Sequence, residues 1–163
     1  MSSEFEAKLD ALFARQALKK AQAEELLKQV EDKAAEFLAA FEACRESVIR
    51  PAMLNAGALV KARGLEYAVE SSEEAMHADG RRISSTMISM AFFRGERSGG
   101  RATEYPRVSF TCEKSREEIA VYMSTMSALG GGGKSGPEGS VKLEQITEAF
   151  VEENILKLLS QIL

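Results

Sequence analysis

The chain has 163 residues, of which 45% are hydrophobic and 28% are charged, and its formal net charge is −4. This length is typical of one domain that folds without disulfides or a metal ion. The negative charge argues against a protein that binds nucleic acid over its whole surface. No apolar run approaches the roughly 18 residues of a membrane span, and the acidic start MSSEFEAKLD lacks a secretion-signal pattern. We therefore expect a cytoplasmic protein without a membrane segment.

The first fifty residues predict one long helix, from about Glu4 to Ile49, because they lack Gly and Pro and are rich in Ala, Glu, Lys and Leu. Apolar residues recur at alternating intervals of four and three, at Val30, Ala34, Phe37, Phe41, Cys44 and Val48, and a similar stripe joins Phe5, Leu9 and Leu12. Such a helix spans roughly 65 Å, which exceeds the diameter of a domain this size. Residues 1–50 are therefore predicted to form an oligomerisation arm, with Val30, Phe37 and Phe41 as interaction residues.

Residues 51–163 predict a separate α+β domain. Pro51 interrupts the first helix and opens a second one that ends at Arg63 before Gly64. We expect that second helix to bury Met53, Leu54, Ala58 and Leu59.

Four stretches with strand patterns follow, at residues 65–69, 83–93, 108–112 and 119–123, and Leu143 to Ile162 has the spacing of an amphipathic helix. A glycine-rich connector occupies residues 127–140. The predicted fold is thus α+β: a long N-terminal helix, a short second helix, a four-stranded antiparallel meander and a C-terminal amphipathic helix.

A phosphate-loop-like motif lies within this connector. The stretch ALGGGGKS, Ala128 to Ser135, follows a predicted strand, but Gly136 and Pro137 come where a phosphate-binding helix would have to begin. Because that helix supplies the amide groups that hold the phosphates, we interpret the stretch as a linker and predict no nucleotide cofactor.

Arginine is concentrated in the middle of the chain. Residues 80–107 contain six arginines and two glutamates, a local charge of +4. Guanidinium groups bind carboxylates and phosphates in pairs of hydrogen bonds, which makes Arg81, Arg82, Arg94, Arg97 and Arg101 candidate interaction residues. Solvation, or pairing with the chain's own carboxylates, is the simpler interpretation of these arginines. Nucleic-acid binding usually needs basic residues over a whole face with interleaved aromatic residues. Tyr105 alone does not supply that pattern, which argues against nucleic acid as the partner.

Residues for catalysis are scarce. His77 is the only histidine, Cys44 and Cys112 lie at predicted core positions, and no nucleophile–base pair or cluster of metal ligands is evident. We therefore predict a non-enzymatic protein without a cofactor or a metal site. It would act through protein–protein contacts, by self-association through the N-terminal helix, the sheet or both, or with another protein as partner. The alternative is a domain that binds a small ligand or an anion in a pocket between the sheet and the helices, rimmed by the arginines.

Overall fold

A computed structural model describes residues 2–95, 105–126 and 133–163 of the chain. The chain divides into two units, Met1–Glu36 and Phe37–Leu163. The boundary falls fourteen residues before the predicted end of the arm at residue 50, because Phe41, Arg45 and Ile49 are buried within the second unit. Helix α1, Ser3–Cys44, contributes residues to both units.

The helix does not stop at Pro51. A π-helical turn, Arg45–Ile49, follows α1 directly, and helix α2, Arg50–Lys61, follows that turn with Pro51 in its first turn. Cys44, Ile49 and Arg50 keep helical dihedral angles, so the backbone stays helical up to Pro51 and only its hydrogen-bonding pattern changes. The predicted second helix with Pro51 at its start is present, but no break separates it from α1. The predicted stop is also correct: Gly64 has φ +87°, and its amide donates to the carbonyl of Lys61.

Five antiparallel strands form the main sheet of the second unit: β1 (Glu66–Ser72), β4 (Met87–Phe93), β5 (Arg107–Glu113), β6 (Glu118–Ser124) and β7 (Ser135–Val141). The strand order is β1-β4-β5-β6-β7. A two-stranded hairpin, β2 (Ala75–Met76) and β3 (Arg82–Ser84), lies between β1 and β4 in the chain. The predicted α+β class is confirmed, with five strands in the main sheet instead of four.

The additional strand, β7, comes from the predicted connector. Ser135–Val141 pairs with β6, with a register irregularity opposite Val121 and Tyr122. Its position at the edge of the sheet explains why Gly and Pro are tolerated, because an edge strand can leave amide positions unpaired. Lys134 and Ser135 thus lead into a strand instead of the helix that a phosphate loop requires. The rest of ALGGGGKS up to residue 132 lies outside the described residues.

One face of the main sheet holds the hydrophobic core. Register pairing places Ile88, Val108, Phe110, Ile119 and Val121 on that face, and all five are buried. Helix α3, Glu148–Ile162, packs on them with Val151, Ile155, Leu158 and Leu159, and its first turn is capped by the Thr147 hydroxyl, which accepts from the Phe150 amide at 3.1 Å. Alternation along the strands and helical spacing in α3 together place the core where the sequence predicted it.

Candidate functional site

The first unit consists of one stretch of helix α1, residues 3–36, which we call the arm. Eight large apolar residues of the arm are between 40% and 63% exposed: Phe5, Leu9, Leu12, Phe13, Leu18, Leu26, Leu27 and Val30. Six of the eight, all but Leu18 and Leu26, lie on one side of the helix. They form two groups, Phe5 to Phe13 near the start of the arm and Leu27 with Val30 near its end. The arm therefore presents an apolar stripe to solvent.

The three predicted interaction residues of the first helix differ in their exposure to solvent. Val30 belongs to the arm and is 56% exposed, as an interface residue would be. Phe37 is half-buried against the core of the second unit, and Phe41 is completely buried in it. Phe41 is thus a core residue of its own chain and cannot contact a partner. The sequence could not separate the two roles, because both kinds of residue follow the same helical spacing.

The predicted arginine site is not assembled by the described residues. Arg81 and Arg82 lie in the hairpin before strand β4, and Arg94 follows the end of that strand. A seven-residue strand is about 20 Å long, so these side chains do not converge. Arg97 and Arg101 lie outside the described residues.

The local contacts of Arg81 and Arg82 do not form a ligand-binding site. The Arg81 guanidinium donates to the Asp79 carboxylate at 2.7 Å, and the Arg81 side chain is mostly exposed. Arg82 lines a crevice of about 10 Å³, which is no larger than the space that one water molecule needs.

The second face of the main sheet carries both polar and apolar side chains. Ser89, Ser109 and Tyr122 are neighbours on it in adjacent strands. Arg107 lies over the Tyr122 ring at 5.5 Å, a favourable cation–π distance. The buried Ser109 hydroxyl has no hydrogen-bond partner among the described residues. Register pairing also places Met87 and Phe93 on this face, and both are half-buried.

A buried arginine is the most strongly constrained polar group of the second unit. Arg45, in the π-helical turn, is 7% exposed, and its guanidinium donates to Glu73 at 2.6 Å and to Glu46 at 3.0 Å. Burial favours the neutral form, but hydrogen bonds and charges from Glu73 and Glu46 outweigh it and raise the pKa of Arg45. Arg50 donates to the other oxygen of Glu46 at 2.7 Å. These ion pairs join the turn to the end of strand β1, which is a structural role.

Cysteine and histidine lie where the sequence predicted them. Cys112 is buried in the core and Cys44 is half-buried, and both are free thiols. Burial raises the pKa of both thiols, that of Cys112 to about 11, so neither is an activated nucleophile at neutral pH. His77 is exposed in the hairpin turn. Over residues 2–95, 105–126 and 133–163 there is no cluster of His, Cys, Asp and Glu that could hold a metal ion, and no helix has the length and apolar character to cross a membrane.

Neither protein-family models, nor curated proteins, nor solved structures contain a match to this chain.

Proposed function

We propose that this protein is a non-enzymatic interaction protein that self-associates through the arm, residues 3–36 of helix α1. The observation that carries the proposal is the exposure of the eight large apolar side chains on this one stretch of helix. Scattered exposed hydrophobics are normal on a protein surface, but clusters of them on one side of a helix mark a site of protein contact.

The energetics of helices support this proposal. A helix in water gains most of its stability from packing an apolar face, and little from intrinsic propensity. Burying a leucine or phenylalanine side chain contributes about 1.5–3 kcal/mol. The arm has such side chains at both ends of its stripe, Phe5 to Phe13 and Leu27 to Val30, so packing of both ends on a partner would stabilise it substantially.

The charge pattern of the arm favours a second copy as the partner. Between residues 3 and 36 there are six cationic and eight anionic side chains, and the two signs are interleaved. Interleaved charges beside an apolar stripe are typical of helices that pair with similar helices. A partner of one charge sign would meet like charges along the arm, whereas a second copy carries both signs.

Light scattering on the full chain tests this proposal. We expect the wild type to have a mass of at least twice 17.8 kDa at micromolar concentration. The variant Leu12→Glu/Leu27→Glu places charges on the stripe and should reduce that mass by about half, because each carboxylate would have to be buried in the contact.

A matched control separates loss of the stripe from added charge. Ala14→Glu/Ala21→Glu adds the same two charges to exposed positions on the opposite side of the arm, and should keep the wild-type mass. Glutamate is a good helix former, so circular dichroism should show similar helicity in both variants. A monomeric wild type, or a stripe variant with unchanged mass, would refute the proposal.

A further inference from the structure

A groove in the second unit lies between helices α2 and α3. Its volume is about 430 Å³, and its lining includes Leu59 and Val60 from α2, Arg63 from the turn after α2, and Glu152, Leu156 and Leu159 from α3. Leu159 is buried. The groove is largely apolar, and each of its two walls contributes one charged residue, the two being of opposite sign.

The two leucines of the walls face solvent. Leu59 is 63% exposed and Leu156 is 65% exposed. The sequence predicted that Leu59 would be buried together with Leu54 and Ala58; instead α2 turns Ala52, Met53 and Gly57 toward the core. The small Gly57 lets α2 approach strand β1 closely, which leaves the leucine side of the helix outward.

The two walls carry opposite charges that are not used in ion pairs. Arg63 and Glu152 form no ion pair with any residue in the described ranges, whereas Arg50 and Lys61 of α2 each have an ion-pair partner. Arg63 donates to the carbonyl of Leu59 at 2.7 Å, which holds the guanidinium at the carboxyl end of α2 beside that leucine. One wall of the groove thus carries a fixed positive charge, and the other carries a negative charge.

We propose that this groove is a second self-association surface, occupied by the same groove of another copy. In a contact related by a two-fold axis every interaction occurs twice. Helix α2 of one copy would lie along α3 of the other, with Leu59 against Leu156 and Arg63 beside Glu152. A surface with one basic and one acidic wall is complementary to itself, whereas an acidic or basic partner would match only one wall.

The surface is independent of the arm, so the two can be tested separately. In the arm variant Leu12→Glu/Leu27→Glu, we expect sedimentation to show a dimer that the groove alone maintains. Adding Arg63→Glu should place two glutamates opposite each other and raise the dissociation constant at least about tenfold. Adding Glu152→Arg instead should have the same effect through two opposed arginines.

Mixing the two charge-reversed proteins is the decisive measurement. A copy with Arg63→Glu has two acidic walls and a copy with Glu152→Arg has two basic walls, so the mixed pair should associate at least as tightly as the parent dimer. A defect in folding of either variant would not be repaired by mixing.

Each other outcome contradicts one proposal. If the arm variant is monomeric while the wild type is not, the groove proposal fails and the arm proposal stands. If the arm variant keeps the wild-type mass and Arg63→Glu lowers it, the arm proposal fails and the groove proposal stands. If mixing restores nothing, the groove does not pair with itself; a groove that receives the arm of another copy, or a different protein, would give this result.

Discussion

Gly57 fixes how closely helix α2 approaches the sheet. A Cβ atom at this position would lie 2.4 Å from two ring carbons of Tyr67 in strand β1. Alanine in place of glycine normally stabilises a helix by about 1 kcal/mol. Here we predict the opposite: Gly57→Ala should lower the free energy of unfolding by about 1–3 kcal/mol, because overpacking forces neighbouring atoms to shift. Urea denaturation of the two proteins measures the difference.

A second substitution tests whether the Tyr67 ring is the cause. In a Tyr67→Ala background the ring is gone, and Gly57→Ala should become neutral or stabilising. The same loss of stability in both backgrounds would show that the close approach to Tyr67 does not determine the residue at position 57.

Individual core residues were largely predictable from the sequence, but the buried charge was not. Val108, Phe110 and Ile119 follow a strand alternation that allows only one apolar face. Arg45 gave no such signal, because arginine is usually exposed. Its burial depends on Glu73, which lies 28 residues further along the chain, and a local pattern cannot report a contact of that range.

The π-helical turn Arg45–Ile49 should make the second unit sensitive to acid. Hydrogen bonds from Arg50, together with its charge and that of Arg45, lower the pKa of Glu46 below its usual 4.5 despite some opposing desolvation. The folded state therefore binds fewer protons than the unfolded state below that pH, and stability must fall as the pH drops. Glu46→Gln removes this contribution, so the stability gap between wild type and variant should shrink to less than about half between pH 7 and pH 3.

The exposed Glu36 provides the control for this pH dependence. It forms no ion pair within the described part of the chain, so the gap between wild type and Glu36→Gln should stay constant over the same range. Thermal melts at closely spaced pH values measure both gaps. A constant gap for Glu46→Gln as well would mean that the ion pairs of the turn do not contribute to folding.

Two elements escaped prediction because tertiary contacts override their local signals. Pro51 predicts a helix boundary, yet burial of Arg45 and Ile49 on one side of it and Met53 on the other keeps the helix continuous through a π-helical turn. The glycines and Pro137 of β7 predict a linker, yet β6 offers an unpaired edge on which Ser135–Val141 forms a strand. In both cases the neighbouring element determines the structure.

At the scale of the molecule, the sequence predicted an amphipathic arm and an α+β unit, but it did not predict the residue at which the arm ends and the α+β unit begins. The apolar spacing passes without a break from the exposed Val30 to the buried Phe41, so periodicity alone cannot place the boundary at Glu36. The predicted arginine site shows a related limit of local patterns: charge density along a chain does not report that Arg82 and Arg94 lie at opposite ends of strand β4.

The apolar spacing of helix α1 also bears on the function that we propose for the arm. Phe37 and Phe41 pack within the second unit, whereas the earlier positions of the stripe are exposed. A second copy would cover them if two arms pair. With the proposed groove contact as well, the chain would have two surfaces for self-association, and a protein with two such surfaces forms closed tetramers or open chains.

Energy transfer between arms is the most direct test of arm pairing. A single dye at Ala21→Cys lies on the exposed side opposite the stripe, near the middle of the arm, in a chain whose native cysteines are replaced by Cys44→Ala and Cys112→Ala. Mixing donor-labelled and acceptor-labelled copies should give efficient transfer for either relative direction of the two helices, and Leu12→Glu/Leu27→Glu should abolish it. Absence of transfer at concentrations where light scattering detects an oligomer would contradict arm pairing.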